Sequence, residues 1–561
     1  MPARPQGSNA ANEPATPGRQ AGPALVAGLD AAAGLDTADI PDPAALPDPA
    51  AWLDPSGGLD PSGELRQLTG DCVHCGFCLP ACPTYQLWGE EMDSPRGRIH
   101  LMTQILDGAQ ADEAAAAHFD RCLGCMACVP ACPSGVRYDR LIEAARTWSQ
   151  EPPAGLRPVP ARSLRDWAVR TMIFATFPYP DRLRVLIAPL RAAQRAGLDK
   201  LLAAQVPGGA RPATSAPAGI DPAAGEHGQS VTAAATGGQE PGGRRSISGL
   251  LPAELVAALR VAPKRRSAAR QGRPGGRRGA LGGLRGGPDS RSRLRGRPAP
   301  PELMLASGPR RAVVGMLTGC VQQVFFPEVN AATARVLAAE GCDVVIPGRQ
   351  GCCGALSMHA GRRAEAAEFG RRTIAEFERA GVDTVVVNAA GCGSAMKEYA
   401  GLLADDPGWA ARAAAFSGRV RDLTEFLAEL GPAAQRHPLP VSAAYHDACH
   451  LGHAQRITRQ PRDLLAAIPG LQLTEIADGG TCCGSAGIYN LVQPEAAAEL
   501  GARKAATVQA AGVQLLVSAN PGCALQIAAA LAAQGSTLPM AHIAQVLDAS
   551  IQGAGTAALL D

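Results

Sequence analysis

Aromatic residues are scarce in this chain: ten Phe, six Tyr and five Trp among 561 residues. Large rings supply much of the buried area of most cores. The cores expected here are therefore built from Ala, Val, Leu and Ile, as small α/β units allow. Long apolar runs are also lacking. No segment offers the roughly twenty uninterrupted apolar residues of a spanning helix, so only peripheral membrane contact is expected. An excess of one charge is missing too, since 53 basic and 51 acidic residues leave +2. That balance gives no global argument for a nucleic-acid partner, and none is expected. Met1 to Gln20 is polar and Pro-rich, without the order of a signal peptide. A chain retained in the cytoplasm keeps its cysteines reduced, and clusters of reduced cysteine read as metal sites. Nor is there a G-x-G-x-x-G after a strand, a P-loop or a G-x-S-x-G elbow, so a flavin, nicotinamide or nucleotide site of the usual kind is excluded. No catalytic residue is expected on this chain.

What the chain does have is cysteine, seventeen in all. Cys72-Val-His-Cys75-Gly-Phe-Cys78-Leu-Pro-Ala-Cys82-Pro83 has the spacing C-x2-C-x2-C-x3-C-P, and Cys122, Cys125, Cys128 and Cys132 repeat it up to Pro133. Three closely spaced thiolates suit three corners of one cubane, and the fourth cysteine, turned by its proline, reaches the other cluster. Two [4Fe-4S] clusters are expected, one on Cys72, Cys75, Cys78 and Cys132, the other on Cys122, Cys125, Cys128 and Cys82. Structural zinc is the plainer alternative, but zinc ribbons use two pairs rather than two four-cysteine runs closed by proline. A disulfide framework is disfavoured because cysteines three apart on a tight turn are poorly placed to pair. His74 and Tyr85 are expected to pack against the first loop.

A second pattern, C…CCG…GC, also occurs twice: Cys320, Cys352, Cys353 and Cys392, then Cys449, Cys482, Cys483 and Cys523. Each cysteine is expected where a strand ends, and ligands collect at the carboxyl edges of parallel strands. Four thiols in each lobe would suffice for a further cluster; equally, they would serve as small buried residues under glycine-rich turns. Cys342, outside the repeat, is expected in the core. His446, His450 and His453 surround Cys449; a proton relay or quinone contact and one ordinary polar loop both account for them.

These motifs divide the chain. Residues 1–60 read as a disordered leader, 61–150 as the two-cluster ferredoxin-type unit with a helix-like stretch around Ile99 to Phe119, and 151–204 as a helical connection. Residues 205–310 form a low-complexity linker in which Lys264 to Arg297 carries twelve basic residues against Asp289. With no aromatic residue interleaved for base stacking, that segment reads as a solvated linker. Strands alternating with helices then repeat over 311–435 and 436–550. The fold class expected is multidomain α+β and α/β: an N-terminal α-helical dicluster ferredoxin domain followed by two duplicated α/β CCG lobes.

With both runs and both CCG repeats in this order, the chain resembles the iron-sulfur subunit of bacterial glycolate oxidase, also called glycolate dehydrogenase. The stretches Cys72-Val-His-Cys-Gly-Phe-Cys, Ser94-Pro-Arg-Gly-Arg-Ile99, Cys132-Pro-Ser-Gly-Val-Arg-Tyr138 and Cys482-Cys-Gly-Ser-Ala-Gly487 carry that resemblance. It implies FAD-bearing partner subunits that oxidise glycolate to glyoxylate, electron transfer through this subunit toward a membrane quinone, and peripheral attachment to the cytoplasmic face of the inner membrane. Equivalent subunits for lactate or glycerol-3-phosphate oxidation, and heterodisulfide-reductase-like enzymes, share the architecture. Two departures stand out. The leader and linker are longer than the family's, and the C-x2-C that ends a full CCG pattern has lost its first cysteine to Ala389 in one lobe and to Asn520 in the other.

Overall fold

The structure, a computed structural model, describes residue 60 and residues 63–109, 111–150, 164–195 and 302–560. The leader ahead of residue 60 and the Arg-rich segment 264–297 lie outside the described residues.

The cysteine-rich N-terminal unit is helical. Ser94 caps the helix Pro95–Leu106 by accepting from the Gly97 N–H at 3.0 Å, and Ile99, Met102 and Ile105 form its buried stripe. Gly97 is required there, since a Cβ would stand 2.0 Å from the Glu91 carbonyl oxygen. A second helix, Glu113–Arg121, is capped by Asp112 and buries Phe119. The helix-like stretch expected from Ile99 to Phe119 is thus two helices. Gly108 at φ 104° ends the first and Asp112 restarts the second. The helix Tyr138–Gln150 closes the unit with Leu141, Ile142, Ala145 and Trp148.

Each lobe is a parallel sheet between helices. In the first, β2 (Ala312–Leu317), β3 (Cys342–Val345), β4 (Thr384–Val387) and β5 (Val420–Asp422) run parallel in the order β3-β2-β4-β5, and β1 (Leu303–Met304) adds an antiparallel edge. The lobe therefore takes in residues ahead of 311. In the second, β6 (Val441–His446), β7 (Leu471–Thr474), β8 (Leu515–Ser518) and β9 (Met540–His542) follow the same order, β7-β6-β8-β9. The central strands β2, β4, β6 and β8, four to six residues long, are mostly buried on both faces, as parallel sheets require. Val386 faces one helical layer and its neighbours Val385 and Val387 face the other.

The lobes share one core. Helix Pro327–Ala339 of the first packs on Ile543–Gln552 of the second within a single apolar cluster. Arg335 forms a bidentate pair with Asp548, its shortest N–O distance being 2.6 Å, and the His542 ring lies 2.8 Å from the Asn388 carbonyl. Helices Leu164–Thr176 and Pro180–Arg195 strap this pair from outside: Ile173 and Phe174 pack on Ile488, and Leu183 and Ile187 on Val324. The cysteine-rich unit docks through Tyr138–Gln150. A Cβ on Gly361 would lie 2.5 Å from the Arg146 backbone, so only glycine permits that approach. No described helix is long and apolar enough to cross a membrane.

Candidate iron-sulfur sites

The two cysteine runs fold alike. His74 and Gly124, which precede the second cysteine of each run, have φ 52° and 64°; Gly76 and Met126, which follow it, have φ 85° and 60°. These left-handed residues curl the loop, and non-glycine residues hold that conformation only where their surroundings impose it. His74 therefore contributes backbone rather than packing: its side chain is exposed, and its carbonyl accepts from Arg96 at 3.0 Å.

One cavity is lined by Cys72, Cys75 and Cys78 of the first run together with Cys128 and Cys132 of the second. Cys82 lies in the electrostatic neighbourhood of Cys125 and Cys128, beside Cys122. Exposure separates the two groups. Cys75 is exposed, with Val73 and Phe77 beside it 68% and 67% exposed, whereas Cys122, Cys125 and Cys128 are buried. Burial pushes the Cys78 thiol up to about 11 and holds Cys125 and Cys128 well above their ordinary value, so a metal must displace protons to bind them.

Cys122 differs. Burial raises its thiol, but the Arg98 and Arg146 guanidiniums, with the Gly124 N–H at 3.3 Å, outweigh burial and leave it below the ordinary value. Arg98 is fully buried between Asp93, at 3.2 Å, and the His118 carbonyl, at 2.6 Å; Asp93 also holds His118 at 2.9 Å and Arg121 at 3.0 Å. Arg146 donates to the Cys122 carbonyl and, at 2.6 Å, to the His359 carbonyl of the first lobe. A buried positive charge favours thiolate and any anionic group bound by it. Sequence reasoning missed both arginines. The only local signal was Arg98 standing one residue ahead of Ile99 on an otherwise apolar stripe.

In each lobe four thiols converge at the carboxyl edge of the parallel strands. In the first, Cys320 and Cys352 are 3.5 Å apart, Cys352 neighbours Cys353, and Cys353 neighbours Cys392. In the second the chain of contacts runs Cys449, Cys482, Cys483, Cys523. The glycine of each CCG is needed, since Gly354 and Gly484 have φ 79° and 85° and a Cβ would press on the Ala366 and Ala497 carbonyls. Cys392 and Cys523 sit inside the helices Ala390–Lys397 and Pro521–Ala533 rather than at strand ends, because these helices begin directly after β4 and β8. Cys342 is fully buried in the core. The positions without cysteine meet at the seam between the lobes, where the Ala390 N–H donates to the Ala519 carbonyl and the Gly391 N–H to the Asn520 side-chain oxygen, 3.4 Å.

The three histidines do not form one polar loop. His446 ends β6 fully buried, and burial pushes its imidazole down to about 3. His450 lies 3.5 Å from the Cys449 sulfur and meets His359 ring to ring, tilted, with centroids 4.8 Å apart; His453 contacts the Gly480 carbonyl at 2.9 Å. His359, Glu143 and Glu398 gather where the cysteine-rich unit meets the first lobe. Burial, and then its neighbouring carboxylates, raise each glutamate to about 7. Cys125 shares an apolar cluster with Cys449 and Cys482, so the second cysteine run abuts the thiols of the second lobe.

All seventeen cysteines are free thiols, and sixteen of them, all but Cys342, fall into sets of four. Soft donors in that arrangement fit iron-sulfur groups.

Comparison with known proteins agrees. The chain matches the model of a 4Fe-4S dicluster domain over residues 69–136, the cysteine-rich CCG domain over 314–397 and 443–528, and the linker region of the glycolate oxidase iron-sulfur subunit over 165–205. It is 33% identical to the probable glycolate oxidase iron-sulfur subunit of Bacillus subtilis (strain 168), covering 85% of this chain and 93% of that one. It is 31% identical to the glycolate oxidase iron-sulfur subunit of Escherichia coli (strain K12), covering 82% and 89%. Lactate utilization protein A of Shouchella clausii is 31% identical over 42% of this chain and 98% of its own. With two ferredoxin-type runs, two CCG lobes and these relatives along most of its length, the chain belongs to the family of glycolate oxidase iron-sulfur subunits.

Proposed function

We propose that this protein is the electron-transfer subunit of a glycolate dehydrogenase complex, in which FAD-bearing partner subunits oxidise glycolate to glyoxylate and electrons leave toward a membrane quinone. Cys72, Cys75, Cys78 and Cys132 would hold one [4Fe-4S] cluster, and Cys122, Cys125, Cys128 and Cys82 the other. Such clusters supply one-electron redox steps with little rearrangement. The chain's own residues do the rest. Arg98 and Arg146 hold positive charge beside Cys122, and the apolar wall of Leu123, Ala127 and Tyr489 keeps water from the inner thiols.

The observation that carries this reading is the gradient of burial. The first run presents Cys75, Val73 and Phe77 to solvent, as a docking face for a flavoprotein would, whereas the second run is enclosed against Cys449 and Cys482. Trp167, Met172, Val185 and Leu186, exposed on the strapping helices beside Arg182 and Arg184, supply an apolar and basic face suited to peripheral membrane contact. A cytoplasmic protein attached to the inner membrane fits both faces.

Co-purification tests the proposal. The chain is expected to come out with flavin-bearing subunits and about eight irons from its two ferredoxin-type sites, and its deletion to abolish glycolate-dependent dye reduction by the membrane fraction. Purification without flavin, or undiminished glycolate oxidation after deletion, would overturn it. The likeness to lactate utilization protein A favours one second reading, the equivalent subunit for lactate, which the same dye assay separates by substrate.

A further inference from the structure

His446 is a buried imidazole without a partner. It is 1% exposed, and neither ring nitrogen has a hydrogen-bond partner. Leaving both nitrogens unpaired inside a core is costly, and such orphans call for a partner. Lys504 and Asp447 bear on its charge from nearby, and two cysteine sulfurs stand close to the ring. One ring nitrogen of His446 and the sulfurs of Cys483 and Cys523 all lie within 4.8 Å of one another, the only set of three such donors drawn that close among the described residues.

The repeat supplies an internal control. His446 is the last residue of β6, three residues before Cys449, and the matching residue at the end of β2, three before Cys320, is Leu317. Leu317 is buried in an apolar cluster with Cys353. Where the second lobe brings an imidazole to its thiols, the first brings a hydrocarbon. Nor does Asn520, beside Cys523, partner the His446 ring. Its amide is engaged, the nitrogen with the Cys523 sulfur at 3.4 Å and the oxygen with the Gly391 N–H.

We infer that the second lobe carries a mixed thiolate and imidazole metal site, in which a ring nitrogen of His446 joins the sulfurs of Cys483 and Cys523, and that the first lobe has no such site. Cys449 and Cys482 continue the line of sulfurs from Cys483, so four thiols and one imidazole are within reach. Five donors exceed the four that a single tetrahedral zinc accepts, which favours a group with several irons. Exchanging thiolate for neutral imidazole raises the potential of an iron-sulfur group. The site abuts Cys125 of the inner ferredoxin-type run and is therefore suited to receive an electron from it. The inference rests on the iron-sulfur reading of the family but not on the ligand assignment of the two ferredoxin-type runs.

Pulsed electron paramagnetic resonance of the reduced, anaerobically prepared complex tests it, with 14N- and 15N-histidine labelling and metal analysis. Wild type is expected to give a nitrogen coupling that follows the isotope, together with iron above the roughly eight atoms of two [4Fe-4S] clusters. H446L, which copies the first lobe, should lose the coupling and the additional iron while keeping the signals of the two ferredoxin-type clusters. H446C should keep the iron and lose the coupling, a result that holds even if H446L fails to fold. Zinc in the lobe, a coupling that survives in H446C, or additional iron without any nitrogen coupling in wild type would overturn the inference. Loss of the ferredoxin-type signals with the nitrogen coupling retained would instead sink the assignment of the eight N-terminal cysteines and leave His446 standing.

Discussion

Cys125 of the ferredoxin-type unit and Cys449 of the second lobe, far apart in the chain, lie in one apolar cluster with Leu123, Ala127, Cys482 and Tyr489. Burial first, and then Cys449, hold the Cys125 thiol well above its ordinary value, a sign of close approach. The second ferredoxin-type run and the thiols of a CCG lobe thus share an apolar boundary.

Breaking the inner site should separate the two runs. Cys125→Ser is expected to cut iron at the ferredoxin-type sites from about eight to about four per chain and glycolate-dependent acceptor reduction by at least an order of magnitude, with flavin reduction in the partner intact. Iron analysis and stopped-flow spectra check this; unchanged turnover would place the electron path elsewhere.

Arg98→Met removes a buried charge facing Asp93 and Cys122. The cost should be about 3 kcal/mol, the low end for breaking a buried pair, because His118 and Arg121 still hold Asp93. Denaturant unfolding of the holo protein measures it. The potential of the adjacent cluster should also fall, since its added electron loses a neighbouring cation.

The seam between the ferredoxin-type unit and the first lobe should respond to pH. Glu143 and Glu398 are raised to about 7, from an ordinary 4.5, by burial first and then by a neighbouring carboxylate, Asp139 for Glu143 and Glu143 for Glu398. Asp139, Arg140 and Arg146 on the same helix, and Arg363 and His359 across the seam, also bear on Glu143. A raised acid holds a proton that the unfolded chain has already released, so its contribution is complete below pH 4.5 and lost as pH rises toward 7. His359, depressed by burial, acts in the opposite sense, losing stability as pH falls below its ordinary 6.5. Glu143→Gln should therefore flatten the decline in melting temperature between pH 4.5 and 7 while leaving the acid-side loss. An unchanged slope would show the carboxyls to be ordinary.

Val73 and Phe77 flank the outer cysteines and are mostly exposed. Val73→Asp with Phe77→Asp should weaken association with the flavin-bearing partner by tenfold or more, as charges in an apolar docking face do, with iron content unchanged. Surface plasmon resonance with the purified partner reads the loss directly.

Spacing alone determined the cysteine runs, because a cubane's corners demand thiols a few residues apart on one loop, and that is a local property of the chain. The duplicated lobes were legible for the same kind of reason: apolar runs of four to six residues alternating with helical periods write a parallel α/β repeat into the order of residues. Three-residue strands such as Val420–Asp422 and Met540–His542 left no period to read, and the break at Gly108 hid inside an otherwise helical stretch. Arg98 and Arg146 look like surface arginines in sequence, and His446 looks like one of three histidines beside a cysteine. Only the tertiary structure enclosed those arginines beside Cys122 and turned His446 away from solvent toward Cys483 and Cys523. Burial, and the electrostatics it magnifies, belong to elements brought together from distant parts of the chain, and no local pattern encodes what a side chain will face once water has left.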